Sequence, residues 1–261
     1  MTDSPDLFSV AGKAVIVTGG SRGIGYMIAR GFAAAGARVY ISARKAEACD
    51  EAAASISEVG HCVSVPADLA TPSGVERLVA VVENAEPALH VLVNNAGATW
   101  GAPLEEYPDE AFDKVFGINV KAIFNLTTRL LPALRRAATV EDPARVVNIG
   151  SVDGIRVSGT ENYAYGPSKA AVHMLTRHLA HRLAGEHITV NAIAPGPFES
   201  KMMAFALDNA AVRAGIERSV PLGRIGRPDD VAGTAIFLAS RAGSYLTGAV
   251  IPVDGGISTH G

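Results

Sequence analysis

Two tyrosines and a lysine lie close together in the segment NYAYGPSKAAV, residues 162–172, and suggest proton-transfer chemistry. Tyr165 and Lys169 are four residues apart and would share one face of a helix, whereas Tyr163 is six residues from Lys169 and would diverge from it. Pro167 fits such a helix only near its start, because a residue in the first turn needs no amide donor. The spacing predicts that Tyr165 and Lys169 act as a pair, and that Tyr163 packs or lines a pocket.

The pair suits acid–base catalysis at a carbonyl group. A free phenol has a pKa of about 10 and is a slow acid or base at neutral pH. A neighbouring ammonium stabilises the phenolate, so we expect Lys169 to lower the pKa of Tyr165, as the positive charge of an oxidised nicotinamide would. Tyr165 would donate a proton to a carbonyl oxygen as hydride arrives, or accept one from an alcohol in reverse. Ser151, which follows a predicted strand, would hydrogen-bond the same oxygen.

A glycine-rich turn near the N-terminus is typical of a dinucleotide site. TGGSRGIG, residues 18–25, follows an apolar run and opens a helical pattern. Glycines there let the backbone approach a pyrophosphate closely, and the helix offers its N-terminal amides to the anion. The spacing of Gly19, Gly23 and Gly25 is looser than G-x-G-x-x-G, so the pattern predicts the role of the turn rather than each contact.

The residues after the second predicted strand indicate NADP(H). An NAD site requires a carboxylate for the ribose 2′-hydroxyl, whereas a 2′-phosphate requires positive charge. YISARK, residues 40–45, has no carboxylate and offers Ser42, Arg44 and Lys45. Arg22 in the glycine-rich turn could reach the same phosphate, to which the planar guanidinium is well suited.

Short apolar, β-branched runs alternate with longer segments of helical spacing along the chain. Because parallel strands need crossover helices, this predicts an α/β fold with a mostly parallel, doubly wound sheet and helices on both faces. No linker interrupts the alternation, which indicates one domain over residues 1–261, with a mobile substrate lid near 197–220. The predicted strands are 14–18, 38–42, 62–66, 90–94, 145–149, 188–193 and 249–253, and the predicted helices are 24–36, 45–59, 73–84, 110–136, 168–185 and 229–240.

The composition indicates a well-buried fold, since 48% of the 261 residues are hydrophobic and 19% are charged. A net charge of −3 without a run of Lys or Arg argues against a nucleic-acid or anionic-membrane partner. No stretch approaches the roughly 20 apolar residues of a membrane span, and the acidic N-terminus is unlike a signal peptide. Cys49 and Cys62 form no disulfide framework or metal-ligand pattern. We therefore expect a cytoplasmic protein without a metal site.

The motifs together resemble the short-chain dehydrogenase/reductase family. TGGSRGIG, the NNAG at 94–97, Ser151, YGPSK and the PG at 195–196 have the order and spacing of that family, and the resemblance runs from about Lys13 to Gly256. It implies a Rossmann-like sheet of about seven strands, assembled as a homotetramer or homodimer. It also implies NADP-dependent oxidoreduction between CH–OH and C=O groups.

Carried over by position, Ser151, Tyr165 and Lys169 match the family's catalytic trio. Asn119 matches the asparagine that holds a water in a proton relay to the lysine. A second role for Asn119, as a buried polar residue bonded to a helix kink, is compatible with the first. Two departures could reshape the substrate pocket. Ser151 and Tyr165 are 14 residues apart, one more than in many members, and Pro167 replaces a more usual small residue.

The family also assigns the cofactor contacts. Asp68 would lie beside the adenine, residues 95–97 beneath the adenine ribose, and residues 195–200 at the nicotinamide end, with Ser200 in place of the usual threonine. The predicted cofactor-binding residues are Gly19, Ser21, Arg22, Gly23, Ile24, Gly25, Ser42, Arg44, Asp68, Leu69, Asn95, Ala96, Gly97, Tyr165, Lys169, Pro195, Gly196, Phe198 and Ser200.

Within the family the chain is most similar to bacterial 3-oxoacyl-(acyl-carrier-protein) reductases, including the type associated with rhamnolipid synthesis. PLGRIGRPDDVA at 221–232 and LTGAVIPVDGG at 246–256 carry this similarity, which implies reduction of a 3-oxoacyl thioester by NADPH. Six apolar residues either line an acyl-accepting mouth or simply pack: Trp100, Ile155, Val157, Phe198, Met202 and Met203.

An acyl carrier protein is an acidic partner and would need cations near that mouth. Arg129, Arg135 and Arg136 on one predicted helix are the candidates, although that helix is expected from the family to pack between subunits. Two other functions stay open. One is a dehydrogenase of a sugar, polyol or steroid alcohol that runs the same trio in reverse. The other is a cofactor-bound sensor without catalysis, against which the retained tyrosine and lysine argue.

Overall fold

A computed structural model of the protein describes residues 7–199 and 209–259. Its centre is a parallel sheet of seven strands in the order β3-β2-β1-β4-β5-β6-β7. From β1 the next two strands are added on one side of the sheet, and β4 to β7 are then added on the other side. This switch point between β1 and β4 opens a crevice at the carboxyl ends of the strands. The strands are β1 (Ala14–Thr18), β2 (Arg38–Ser42), β3 (His61–Ser64), β4 (Val91–Asn94), β5 (Ala144–Ile149), β6 (Ile188–Pro195) and β7 (Val250–Val253).

Helices cover both faces of the sheet, which is why β1, β4, β5 and β6 are buried along their whole length. Side chains alternate along β1, so Val15 and Val17 join one apolar cluster while Ala14 and Ile16 join the other. The helices are α1 (Gly23–Ala34), α2 (Ala46–Ser57), α3 (Pro72–Ala85), α4 (Asp109–Phe116), α5 (Ala122–Ala137), α6 (Tyr165–Leu183), α7 (Ala210–Ser219) and α8 (Pro228–Ala239).

The predicted fold class is confirmed, and the helix predicted over 110–136 is present from Asp109 to Ala137, although it is not regular throughout. A π-helical turn, Gly117–Lys121, separates α4 from α5. Such turns hold one residue more than a regular turn and often occur at functional sites. Here the turn carries Asn119, whose buried side chain bonds to two other segments. These tertiary hydrogen bonds favour the wider turn, and an apolar periodicity does not reveal them.

The start of α6 also differs from the prediction, since the helix begins at Tyr165 and not at Ser168. The Tyr165 amide donates to the carbonyl of Asn162 at 2.8 Å, which closes the first turn early. Pro167 therefore lies in the first turn, as predicted.

Part of the predicted lid near 197–220 is helical, because α7 occupies Ala210–Ser219 and none of its residues is buried. Ser200, Met202 and Met203 lie outside the described residues. The lid therefore stays a prediction. Among the helices that the structure describes, none is long and apolar enough to cross a membrane. Residues 7–199 and 209–259 contain no cluster of three His, Cys, Asp or Glu side chains that could hold a metal ion.

Candidate active site

The predicted catalytic residues meet at the carboxyl edge of the sheet. Ser151 follows β5, and Tyr165 begins α6, the helix that follows the same strand. The Ser151 hydroxyl accepts a hydrogen bond from the Asp153 amide at 3.1 Å, which fixes its position in a short 3₁₀ turn. A hydrogen bond from Ser151 also favours the phenolate of Tyr165. The two oxygens that would hold a substrate carbonyl therefore lie side by side.

The pKa of Tyr165 is shifted in the opposite direction from our expectation. The side chain is half-buried, and its desolvation raises the pKa to about 12, with a further contribution from the negative charge of Asp153. The hydrogen bond from Ser151 opposes this shift without cancelling it. The predicted lowering by Lys169 is wrong for this arrangement of side chains. Helical spacing correctly placed the two groups together, but it carries no information on desolvation.

Lys169 lies near the tyrosine without a direct hydrogen bond to it. Its ammonium nitrogen is 5.6 Å from the centre of the Tyr165 ring and donates to the carbonyl oxygen of Ile149 at 2.8 Å. The side chain is only 5% exposed, and burial lowers its pKa to about 8. No acidic residue in the described part of the chain forms an ion pair with it. A buried cation without a counter-charge is destabilising, which marks the position as a candidate functional site.

Asn119 joins three segments of the site. Its side-chain oxygen accepts from the Ala98 amide at 2.8 Å, and its side-chain nitrogen donates to the Ala98 carbonyl at 3.0 Å and to the Ser168 hydroxyl at 2.9 Å. Ser168 in turn donates to the carbonyl of Tyr165 at 2.7 Å. The side chain of Asn119 is thus occupied in holding the start of α6. The predicted water relay stays a prediction.

Ser168 and His173 are two residues of the site that the sequence analysis missed. Both lie on α6 on the face of Tyr165 and Lys169, and that spacing was the available signal. The imidazole of His173 packs against the main chain at Gly150 and Gly154, which flank Ser151, and leaves no room for a Cβ atom at either glycine. Burial and the charge of Lys169 lower the pKa of His173 to about 4, so a neutral ring supports the serine turn.

The glycine-rich turn after β1 is held open by Asn95. Gly19 and Gly23 have φ angles of +65° and +54°, in the region that favours glycine. The side-chain nitrogen of Asn95 donates to the carbonyls of Thr18 and Gly19 at 2.9 and 3.2 Å. The Thr18 hydroxyl accepts from the main-chain amides of Asn95 and Ala96, each at 2.9 Å. A Cβ atom on Gly19 would lie 2.8 Å from the Asn95 nitrogen. Asn95 therefore shapes the cradle with its side chain, and Thr18, which the sequence analysis missed, anchors it.

The end of β2 has the properties of a 2′-phosphate site. The Ser42 hydroxyl is buried and has no hydrogen-bond partner among the described residues. Arg22, Arg44 and Lys45 are exposed, and the described residues offer none of them an ion pair. An unpartnered hydroxyl beside uncompensated cations fits a bound phosphate group.

The remaining predicted cofactor residues follow the carboxyl ends of β1, β3, β4 and β6. Asp68 follows β3 and accepts a hydrogen bond from the Ala70 amide at 3.1 Å, while Leu69 is buried beside it. Ser21, Ile24 and Ala96 are half-buried, Gly97 is exposed, and Gly25 is buried against Asn95. Pro195 ends β6, and Gly196 packs closely against Asp254.

Of the two roles left open for Phe198, lining the substrate mouth or packing, the structure supports packing. The side chain is only 2% exposed and belongs to an apolar cluster of the core. Its ring covers Gly226, whose amide donates to the carbonyl of Pro197 at 2.8 Å. Ile155 and Val157, by contrast, are exposed in the stretch between Ser151 and Tyr165, and the exposed Trp100 lies on a segment that Tyr107 connects to Ala164, as a substrate mouth requires.

Two of the three arginines predicted for a carrier protein are engaged elsewhere. Arg135 pairs with Glu186 at 2.7 Å and Arg136 with Glu83 at 3.4 Å. Arg129 is largely exposed and lies 3.9 Å from Glu76. Each of the three arginines therefore has a carboxylate partner, and the pair of Arg129 is the longest and most exposed of the three.

Comparisons with known proteins agree with this geometry. The family model described as enoyl-(acyl carrier protein) reductase matches residues 19–258. The chain is 52% identical to the rhamnolipids biosynthesis 3-oxoacyl-[acyl-carrier-protein] reductase of Pseudomonas aeruginosa, over 95% of this chain and 97% of that protein.

A second relative, the 5-keto-D-gluconate 5-reductase of Escherichia coli, is 33% identical over 97% of this chain and 98% of its own. The solved Pseudomonas aeruginosa RhlG/NADP active-site complex superposes with a TM-score of 0.94 at 51% identity, and it covers 97% of this chain and 99% of that one. With this coverage and the tyrosine–lysine pair in place, the chain belongs to the short-chain dehydrogenase/reductase family.

Proposed function

We propose that the protein is an NADPH-dependent reductase of 3-oxoacyl thioesters. One observation carries the proposal: the phenol of Tyr165, whose pKa lies well above neutral pH, lies beside a serine hydroxyl at the carboxyl edge of a Rossmann-like sheet. A protonated acid is the state that carbonyl reduction requires. The similarity to a 3-oxoacyl-[acyl-carrier-protein] reductase over nearly the whole chain supports the substrate class.

The cofactor would lie across the switch point between β1 and β4. The glycine-rich turn and the N-terminus of α1 would hold its pyrophosphate, and Ser42, Arg22 and Arg44 its 2′-phosphate. The absence of a carboxylate in residues 42–45 supports NADP(H) over NAD(H). When bound, NADPH supplies the hydride.

Tyr165 supplies the proton in this reaction. Hydride addition to a ketone generates an alkoxide, which is a much stronger base than a phenolate, so proton transfer from a phenol is favourable even with its pKa near 12. Ser151 donates a hydrogen bond to the same oxygen and stabilises the charge that develops there. Lys169, with a pKa of about 8, changes charge close to neutral pH and can return the proton to the site from solvent.

The sugar or polyol alternative has one specific observation in its favour, the relative that is a 5-keto-D-gluconate 5-reductase. A site for a polyol needs several polar groups around the ketone. The exposed side chains on the segments next to Ser151 and Tyr165 include Trp100, Ile155 and Val157, which favour an acyl chain instead.

We also propose that the protein is a cytoplasmic homotetramer or homodimer, with an acyl carrier protein as the donor of its substrate. Phe112, Phe124 and Met174 are large apolar side chains exposed on α4, α5 and α6, which supports burial of these helices between subunits. Light scattering after size-exclusion chromatography measures the assembly directly.

The test is consumption of NADPH by the purified protein with acetoacetyl-coenzyme A, an acetoacetyl-acyl carrier protein and 5-ketogluconate. We expect turnover of the thioesters and faster turnover with NADPH than with NADH. No turnover of either thioester would overturn the proposal. A Tyr165→Phe variant that still binds NADPH, yet supports unchanged function in the cell, would favour the non-catalytic sensor.

A further inference from the structure

The hydroxyl of Tyr107 connects two segments of the predicted substrate mouth. Tyr107 follows a 3₁₀ turn between β4 and α4, and its hydroxyl donates to the carbonyl of Trp100 at 3.2 Å. The same hydroxyl accepts from the amide of Ala164 at 3.2 Å. Ala164 directly precedes Tyr165, so this side chain reaches from the first segment to the start of the catalytic helix.

The two segments are joined at a second point by the main chain alone, where the Ala102 amide donates to the carbonyl of Glu161 at 3.1 Å. The Tyr107 ring is held independently of its hydroxyl. It packs edge-to-face against Tyr163 and Phe112, with ring centres 5.4 Å apart in both pairs. The hydroxyl can therefore be removed without removing the packing of the ring.

The start of α6 lacks a local cap. Ala164 is the residue at the helix N-cap, and alanine has no side chain that can accept a hydrogen bond there. Ala164 is fully buried, and its amide would be costly to leave without a partner. Tyr107 supplies that partner from 57 residues away in the sequence. In a capping box this amide would be bonded by the side chain of the third helical residue, which here is Pro167 and cannot accept, so Tyr107 takes that place.

We propose that Tyr107 is a positioning residue, which fixes the start of α6 and hence the hydroxyl of Tyr165 relative to Ser151. Asn119 and Ser168 hold the first turn of α6 from inside the fold, and Tyr107 holds it from the side of the mouth. Its effect on turnover rests on the proposed function, in which Tyr165 donates a proton.

The test compares Tyr107→Phe with Tyr26→Phe. Each substitution removes one tyrosine hydroxyl that is hydrogen-bonded, but the bond of Tyr26 is with Ser55 at 2.9 Å, between α1 and α2. For Tyr107→Phe we expect kcat to fall about tenfold, because the acid is misplaced, while KM for NADPH stays unchanged. We also expect faster hydrogen–deuterium exchange in residues 160–168. Tyr26→Phe should leave both measurements at the wild-type value.

An unchanged kcat or unchanged exchange at 160–168 in Tyr107→Phe overturns the inference. Equal losses of kcat in both variants overturn it as well, because a general loss of stability would then explain them. The proposed function is judged separately, by turnover of thioesters by the wild-type protein. If the wild type reduces no thioester, the inference is tested by hydrogen–deuterium exchange in residues 160–168 alone. Faster exchange there in Tyr107→Phe would still support the positioning of α6 by Tyr107.

Discussion

Buried cations lie at both ends of the same sheet, but only those at the amino end are paired with a carboxylate. At the amino end, Lys13 pairs with Asp142 at 2.6 Å, and Arg145 donates to Asp142 at 3.0 Å and to the carbonyl of Ser240 at 2.9 Å. Burial lowers the pKa of both cations, and the charge of Asp142 raises it again. At the carboxyl end, Lys169 has a carbonyl oxygen as its partner, and its pKa falls to about 8.

The difference separates a structural cation from a functional one. A buried charge that is paired and hydrogen-bonded is retained in its ionised form, and breaking the pair destabilises the fold. A buried ammonium without a counter-charge destabilises the fold already, so its presence requires another explanation. We propose proton transfer near neutral pH as that explanation for Lys169.

The largest expected effect is on activity at the carboxyl end. Lys169→Met should reduce kcat for the thioester about a thousandfold, because the group proposed to return a proton to the site is lost. The free energy of unfolding should stay the same or rise, since methionine has a similar length and no charge to desolvate. Steady-state kinetics and urea unfolding of the same preparation measure both. A variant that loses stability but keeps its kcat would contradict the contrast between the two ends.

The converse result is expected at the amino end. Arg145→Met should lower the free energy of unfolding by about 3 kcal/mol, because Asp142 loses one of its two cationic partners and the carbonyls of Leu238 and Ser240 at the end of α8 lose their donor. The kcat of the folded protein should stay within about twofold of wild type, since the site lies at the other edge of the sheet. Urea denaturation with a kinetic assay below the transition checks this. A large loss of kcat in fully folded protein would mean that the two ends are coupled.

The pH dependence of stability sharpens the comparison further. The pKa of Lys169 is lowered from 10.5 to about 8 in the folded protein, so the unfolded chain binds more protons between those values. Its contribution destabilises the fold fully below pH 8, and the destabilisation disappears as the pH rises from about 8 towards 10.5. Relative to Lys169→Met, the wild type should therefore gain on the order of 3 kcal/mol over this interval. Parallel unfolding curves for the two proteins across the interval would contradict the lowered pKa.

The smallest expected effect on activity comes from removing an exposed cation. Arg44→Ala should raise KM for NADPH about tenfold and leave KM for NADH nearly unchanged, because it removes a charge-assisted contact to the 2′-phosphate alone. Arg30→Ala, on an exposed residue of α1, serves as the control for loss of a surface charge. Equal changes for the two cofactors would show that Arg44 does not distinguish them.

The features that the sequence predicted correctly depend on hydrophobic periodicity and on residue spacing. The bounds of β1 and β2 agree with the predicted 14–18 and 38–42, because their buried runs end at turns that glycine and charged residues mark. The pairing of Tyr165 with Lys169 follows equally from the helix repeat. These features are local, so neighbouring residues suffice to define them.

Features that depend on distant segments were missed. The packing of Phe198 on Gly226, the π-helical turn at Asn119 and the raised pKa of Tyr165 each depend on what another part of the chain brings to the residue. A local pattern contains none of this information. The π-helical turn could have been suspected only from an asparagine on an otherwise apolar helix face.

That turn has a consequence for how the chain length can vary. Deleting one residue from Gly117–Lys121 would restore a regular helix and rotate Asn119 away from Ala98 and Ser168, even though the helix itself would remain intact. The stretch between Ser151 and Tyr165 is instead largely exposed, and Val157 there is 95% accessible. We therefore expect this surface stretch to tolerate insertions and deletions, whereas a change of length between α4 and α5 would displace Asn119.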